Sequence, residues 1–176
     1  QRFTQVVEFQ TDPLVTADAH YGLALIAQHA GHSEQARELL REVLRTCPNF
    51  PKRPDVHFAL GQTNEALWRN TAWKHEQEKE DSEFLQRAME HYQQAIERQS
   101  QYHPLASFCL GKLHYETNHP EDALSYLRRA STDTALESRY AVEANYLLGN
   151  LCRDQRGDLA QAQEYFQIAL KKGATP

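Results

Sequence analysis

The 176-residue sequence has little glycine and little proline, with only seven of each. These low counts exclude a low-complexity or collagen-like polymer, and they argue against a loop-rich β protein. No apolar run approaches the roughly 18 residues that a membrane-spanning helix needs, so we predict no membrane segment. A chain of this length that is 40% hydrophobic can bury one core, and we expect a single domain over residues 1–176.

An excess of positive charge is also missing, because 19 Lys and Arg face 24 Asp and Glu. Any nucleic-acid binding would therefore need a local basic patch. The three cysteines (Cys47, Cys109 and Cys152) form no CxxC pair, which favours reduced, packed thiols in a cytoplasmic protein. The first residues, QRFTQVVEFQ, look like a cut made inside a larger protein, so we expect the chain to be a fragment.

Motifs of enzymes and metal sites are lacking as well. The sequence has no GxGxxG, GxxxxGK[ST] or GxSxG, and KHEQE at 74–78 is not HExxH. His29 and His32, and likewise His114 and His119, lie close together but have no recognisable companion ligands. We predict no enzyme activity, no cofactor and no metal site, and we expect the histidines to lie at the surface or between repeats.

What the sequence does contain is an internal repeat. A small residue is followed by an Ala, then by a Leu or aromatic residue four positions later, and by an Ala or Val three positions after that. Two antiparallel helices pack closely where one backbone carries Gly or Ala and a bulky residue fills the neighbouring groove. We therefore predict an all-α fold, an α-solenoid of antiparallel helix pairs. The four sets are Ala24, Ala36, Leu40 and Val43; Gly61, Ala88, Tyr92 and Ala95; Gly111, Ala123, Leu127 and Ala130; and Gly149, Ala162, Phe166 and Ala169.

These residues resemble the tetratricopeptide repeat family across roughly residues 17–171. The sequence departs from the family where a Trp is expected near each repeat start, since His20, His57, Ser107 and Asn145 stand there. The resemblance implies a superhelix whose first helices line a concave groove. The predicted repeats are 17–50, 54–100, 104–133 and 138–172, and residues 1–16 are predicted to end a preceding repeat.

The second repeat is longer than the others. Its step from Gly61 to Ala88 spans 27 residues, whereas the step from Ala24 to Ala36 spans 12, so about four helical turns are added. The absence of Gly and Pro from 62 to 95 and the i,i+4 spacing of charges favour a helical hairpin arm at 68–87. We predict a first helix from about 54 to 80, a cap at Asp81 or Ser82, and a second helix from about 83 to 99; a disordered charged linker is the alternative.

The order along the chain is an enlarged repeat, a plain repeat, a long connection and a repeat with one extra residue. This order, with phrases such as AMEHYQQAIERQSQY, is similar to the C-terminal half of the interferon-induced proteins with tetratricopeptide repeats. The resemblance implies a cytoplasmic antiviral protein of innate immunity that either grips the 5′ end of single-stranded viral RNA or acts through protein partners. Where RNA-gripping members carry Arg-Tyr and His-Gln, this chain has Tyr21-Gly22 and Phe58-Ala59, which argues against that grip here.

Family geometry also implies which residues face the groove. This surface is rich in aromatic and amide side chains and carries mixed charge, and packing between repeats is the alternative role for its aromatics. No repeat has the Lys and Asn pair with which some family members clamp a chaperone carboxylate. We predict a protein or peptide partner, with RNA binding as the alternative, and we leave a homo-oligomer open. The predicted binding residues are Tyr21, Gln28, Phe58, Gln62, Arg69, Phe108, Lys112, Tyr115, Tyr146, Asn150 and Arg153, with Trp73 on the arm.

Overall fold

A computed structural model describes residues 12–72, 78–155 and 157–174. These residues form eight α-helices and no strand, and the chain divides after Gln101 into two compact units of two helix pairs each. The predicted all-α fold of helix pairs is therefore confirmed. The helices of the first unit are α1 (Pro13–His29), α2 (Ser33–Thr46), α3 (Arg53–Ala72) and α4 (Glu78–Glu97). Those of the second unit are α5 (His103–Glu116), α6 (Pro120–Thr132), α7 (Ser138–Gln155) and α8 (Leu159–Gly173).

Helix starts follow simple chemical rules. The Asp12 carboxylate accepts a hydrogen bond from the Leu14 N–H at 2.8 Å, and Asp158 accepts one from the Gln161 N–H at 3.0 Å. Each bond satisfies a backbone donor that the first helical turn cannot satisfy itself. Because α1 already begins at Pro13, residues 13–16 belong to this helix rather than to a preceding repeat.

In three of the four helix pairs, the glycine of the repeat lies directly against a bulky side chain of the second helix. A methyl group added at Gly61 would lie 2.6 Å from Tyr92 Cδ1, and one added at Gly149 would lie 2.5 Å from Phe166 Cε1. At Gly111 the nearest atom would be Leu127 Cγ, at 2.8 Å. No side chain fits at these distances, so the predicted packing of a bulky residue onto a glycine is confirmed.

The second helix pair is the long one, as predicted, but its boundaries differ from the prediction. Both α3 and α4 have 20 residues, against 14 in α5 and 13 in α6. The prediction of a cap at Asp81 or Ser82 is wrong, because α4 begins at Glu78 and both residues lie inside it. Trp73 falls outside the described residues.

Each unit buries its own apolar core. In the first unit Ala24, Leu40 and Val43 from the first pair pack in one cluster with Val56 and Leu60 from α3. In the second unit a corresponding cluster contains Leu127, Ala144 and Leu148, among others. Among the described residues, no helix is long and apolar enough to cross a membrane.

Candidate interaction site

Three of the predicted groove aromatics are core residues. Tyr21, Phe58 and Phe108 are all buried, so they are not surface anchors in this chain, and their assignment to an exposed groove is corrected. The alternative, packing between repeats, describes Phe108, which meets Tyr140 of the next repeat, whereas Phe58 packs on Tyr92 within its own repeat. The ring of Tyr21 lies 6.1 Å from that of Phe50, the ring of Phe58 lies 5.9 Å from that of Tyr92, and the ring of Phe108 lies 5.3 Å from that of Tyr140, measured between ring centroids.

All three predicted groove cations are paired with carboxylates. The Lys112 ammonium lies 2.6 Å from Glu143, and the Arg69 and Arg153 guanidinium groups are held by neighbours on their own helix. Each of these cations therefore has a carboxylate beside it, and a phosphate would have to compete with that carboxylate. The partner of Arg69 is Glu65 at 2.8 Å, and that of Arg153 is Asp154 at 2.6 Å.

The predicted amides divide between structural and surface positions. The Gln28 amide donates to the Ala59 carbonyl at 2.8 Å and to Thr63 Oγ1 at 2.7 Å, so it ties α1 to α3. Gln62 is exposed. The buried Asn150 and the half-buried Tyr115 lie together on one pocket of about 330 Å³ in the second unit.

Tyr146 is the predicted aromatic that the structure leaves at the surface, with 53% of its area exposed. Its ring lies 6.0 Å from that of Phe166, which is held in place against Gly149. The next turns of α8 continue this apolar surface with Leu170, which is 74% exposed. Helix α8 therefore presents an apolar wall beside Tyr146.

Together α7 and α8 form a groove of about 790 Å³, which we call the α7–α8 groove. Its floor and walls are almost entirely apolar, while two charged residues stand at its rim. The apolar lining consists of Val142, Tyr146, Phe166, Ala169 and Leu170, and the charged residues are Arg139 and Glu143.

The repeat explains why this groove exists. Phe108 and Tyr146 occupy the same repeat position, each three residues before the glycine of its helix pair. Phe108 is covered by Tyr140 of α7, and Lys112 pairs with Glu143 of the same helix. Among the described residues, no helix covers Tyr146 in the way that α7 covers Phe108.

The histidines do not form a metal centre in the described part of the chain, where no group of three His, Cys, Asp or Glu side chains could hold an ion. Instead, Nδ1 of His57 lies 3.2 Å from Nδ1 of His91. Burial, together with the neighbouring charges of His91 and two arginines, lowers the pKa of His57 to about 4. Burial likewise lowers the pKa of His91 to about 4. The pair is therefore neutral at pH 7 and serves as packing between α3 and α4.

Comparisons with known proteins identify the fold. The family described as Tetratricopeptide Repeats-Sensor matches residues 2–110, more than half of the chain, and a second tetratricopeptide repeat family matches residues 110–176. The chain belongs to the Tetratricopeptide Repeats-Sensor family. Tetratricopeptide repeats generally mediate protein interactions and are generally non-catalytic scaffolds. No curated protein matches the chain.

Two solved structures illustrate the likeness of this tetratricopeptide repeat protein to others. The crystal structure of MamA aligns with a TM-score of 0.73 at 18% identity, covering 97% of this chain and 84% of that one. TTC0263, a thermophilic TPR protein of Thermus thermophilus, aligns with a TM-score of 0.63 at 21% identity, covering 98% and 80%. At these identities the likeness shows the fold alone. It does not test the narrower resemblance to interferon-induced proteins.

Sequence reasoning missed several residues that shape this tetratricopeptide repeat protein. Asp55 is buried and accepts hydrogen bonds from Ser100 Oγ at 2.6 Å and Gln101 Nε2 at 2.8 Å. Its partners are 45 and 46 residues away, so no local pattern could reveal them. Leu170 was missed for a different reason, since an apolar residue on an amphipathic helix is ordinarily expected to face the core.

Proposed function

We propose that this chain is a non-catalytic scaffold that recognises a protein partner, and that the α7–α8 groove receives an amphipathic helix of that partner. The exposure of Tyr146 and Leu170 side by side carries the proposal. Contiguous apolar surface that is rimmed by charge is typical of protein interaction sites. A helix laid in an apolar groove is also a recurring mode of peptide recognition.

Helix α7 supplies a template for the expected ligand. On the preceding helix pair, α7 places Tyr140 against Phe108 and, three residues later, Glu143 against Lys112. An amphipathic helix with an aromatic residue toward Tyr146 would reproduce the first of these contacts. Charged residues beside that aromatic would compete with Glu137 for Arg139 and with Lys112 for Glu143 at the rim, which would set the direction of the bound helix.

Single-stranded RNA, the alternative partner, is not favoured by any contact at this groove. The lining is apolar, Arg139 lies 3.0 Å from Glu137 in an ion pair, and Lys112 and Arg153 are paired as described above. RNA binding needs a continuous cationic track beside its aromatic platforms. The narrower resemblance to interferon-induced proteins, with its cytoplasmic antiviral role, stays a prediction that rests on repeat lengths. It would be tested by asking whether interferon raises the transcript.

Site-specific photo-crosslinking tests the proposal. The photoreactive residue p-benzoylphenylalanine replaces Leu170 in the groove or, as a matched control on the same helix, the exposed Glu164. We expect a defined protein adduct from position 170 that is absent at position 164 and is lost on adding Tyr146→Ala. Protease and ribonuclease treatment identify the class of the adduct. Equal crosslinking from both positions, or an adduct that only ribonuclease removes, would contradict the proposal.

A further inference from the structure

A second pocket, of about 440 Å³, lies between α2, α3 and α4 of the first unit, and its lining differs in kind from the α7–α8 groove. Four arginines reach it, with Asn64, His91 and one carboxylate, that of Glu90, beside them. Arg37, Arg41 and Arg45 follow each other at steps of four along α2. Residues four apart share one helix face, so these three line a single wall, and Arg87 and His91 form a second wall on α4 by the same spacing.

The arginines retain capacity to bind a further anion. Each has a carboxylate close by on its own helix, but those carboxylates are 36% to 63% exposed, and surface pairs of this kind contribute little to stability. A guanidinium has five N–H donors, and one carboxylate occupies two of them at most. The partners are Glu34 for Arg37, Glu38 for Arg41, Glu42 for Arg45 and Glu83 for Arg87.

Arg37 shows this spare capacity directly. Its side chain is only 17% exposed, held by Glu34 at 2.7 Å and by the ring of Phe84 at 5.2 Å. Its buried Nε has no hydrogen-bond partner, and the nearest carboxylate oxygen, on Glu38, is 3.7 Å away. That separation is too long for a hydrogen bond, so a buried charged donor stays unsatisfied.

Asn64 leaves a hydrogen-bond acceptor, rather than a donor, without a partner in the same pocket. It is 1% exposed, and its Nδ2 donates to the Leu60 carbonyl at 2.7 Å. Because a carbonyl can only accept, this bond fixes which end of the amide carries the oxygen, and the buried Oδ1 has no partner. Leaving such an acceptor unpaired is unfavourable, and a ligand with an N–H group at this point would satisfy it.

The remaining wall of the pocket suits a flat or apolar part of a ligand. Leu44 and Leu60 line the pocket, and His91 contributes its ring. Burial, together with the charges of Arg87 and Arg41, lowers the pKa of His91 to about 4, against the opposing effect of Glu90. At pH 7 the ring is therefore uncharged and does not add to the attraction of anions.

We propose that this arginine pocket binds a small organic phosphate of mononucleotide size, whose phosphate pairs with the arginines and whose amino group donates to Asn64 Oδ1. Arginine pairs phosphate bidentately, and a dianion competes with the single carboxylates that the arginines now hold. A volume of about 440 Å³ is ample for a ligand of this size. This site is independent of the α7–α8 groove, so either proposal can fail without the other.

Calorimetric titration of the whole chain with adenosine, guanosine and cytidine 5′-monophosphates tests the inference. We expect at least one nucleotide to bind saturably, and its nucleoside to bind at least about tenfold more weakly, because the charge-assisted bonds are lost. Arg41→Gln with Arg45→Gln should weaken binding of that nucleotide by a similar factor. Arg129→Gln, at an exposed arginine of α6, is the matched control and should not change it.

The role of Asn64 is tested by changing the ligand, because a substitution of this buried residue could unfold the first unit. If the adenine nucleotide binds, purine riboside 5′-monophosphate, which lacks the amino group, should bind about tenfold more weakly. The inference is overturned if none of the three nucleotides binds, if the nucleoside binds equally well, or if the Arg129 control weakens binding as much as the pocket variant. Equal binding of the adenine nucleotide and its analogue without the amino group would overturn the assignment of Asn64. Preferential binding of an acidic peptide would likewise assign the pocket to a different ligand.

Discussion

Phe108 and Tyr146 are the same repeat position in the two helix pairs of the second unit, yet one is 3% exposed and the other 53%. Their own helices are alike: each carries the aromatic residue three positions before a glycine that packs on the second helix. The difference comes from the neighbour, because Tyr140 of α7 covers Phe108. In a repeat protein the residue pattern of one pair thus sets how its helices pack, while the following element decides whether its face is core or binding surface.

The strongest test of this difference is the pair of substitutions Phe108→Ala and Tyr146→Ala. Removing the buried Phe108 ring leaves a cavity, and we expect the free energy of unfolding to fall by about 3–5 kcal/mol. Removing the exposed Tyr146 ring should change it by less than about 1 kcal/mol while weakening partner binding. Urea denaturation of both variants measures the difference. Equal losses would mean that Tyr146 belongs to the core.

The comparison of rings in different surroundings extends to the histidine pair, whose protonation depends on pH. His57 and His91 have pKa values of about 4 in the folded state, below the ordinary value near 6.5, so between these pH values the unfolded chain binds more protons. The contribution of this pair to the free energy of unfolding is therefore fully present above about pH 6.5 and is lost as the pH drops toward 4. We expect the free energy of unfolding to decrease by roughly 2–4 kcal/mol between pH 7 and 4.5.

Comparison with a His57→Gln, His91→Gln variant isolates this contribution, because the carboxylates titrate in both proteins alike. Urea denaturation should show a shallower pH dependence in the variant. Arg53, Arg98, Arg41 and Arg87 act on the two rings and remain in both proteins. An unchanged dependence would show that the pair does not resist protonation.

The close packing within α7 and α8 gives a smaller effect. Gly149→Ala would place a methyl group 2.5 Å from Phe166, so the ring must move, and we expect a loss of about 1–3 kcal/mol in the free energy of unfolding. Gly173→Ala is the control, since its methyl group would meet Val142 at an ordinary 3.8 Å. Thermal denaturation should place the Gly173 variant within about 0.5 kcal/mol of the parent.

Sequence predicted the helix pairing well because the signals are local. Gly61, Gly111 and Gly149 each indicate a close helix crossing. The bulky partner lies 16 residues after Gly111 and 17 after Gly149, and 31 after Gly61 in the longer second pair. The exposed site was less predictable. Tyr21, Phe58, Phe108 and Tyr146 look equivalent in the repeat, and only the three-dimensional neighbours distinguish the buried three from Tyr146.

Buried polar groups were the least accessible to sequence reasoning. Asn64 and Arg37 occupy ordinary helical positions, and nothing in their immediate surroundings indicates that one atom of each is buried without a partner. Such a feature arises where three helices meet, so it depends on packing rather than on any local pattern. The arginines of α2 did show a spacing of four, but a stripe of this kind is also expected on a solvated helix face.

The smallest expected effect concerns the ion pair that accompanies the covering of Phe108. Lys112 lies 2.6 Å from Glu143 with both side chains about one-third exposed, and its ammonium lies 5.9 Å from the centre of the Phe108 ring. For Lys112→Gln we expect a loss of about 0.5–1 kcal/mol in the free energy of unfolding, which shrinks as salt is added. Arg41→Gln, which removes the more exposed pair with Glu38, is the control and should cost less. A salt-independent loss, or one as large as that of Phe108→Ala, would mean that Lys112 acts through packing rather than charge. If the substitution changes stability but not partner binding, the role of Lys112 is structural: it holds α7 against α5 and does not contact a partner.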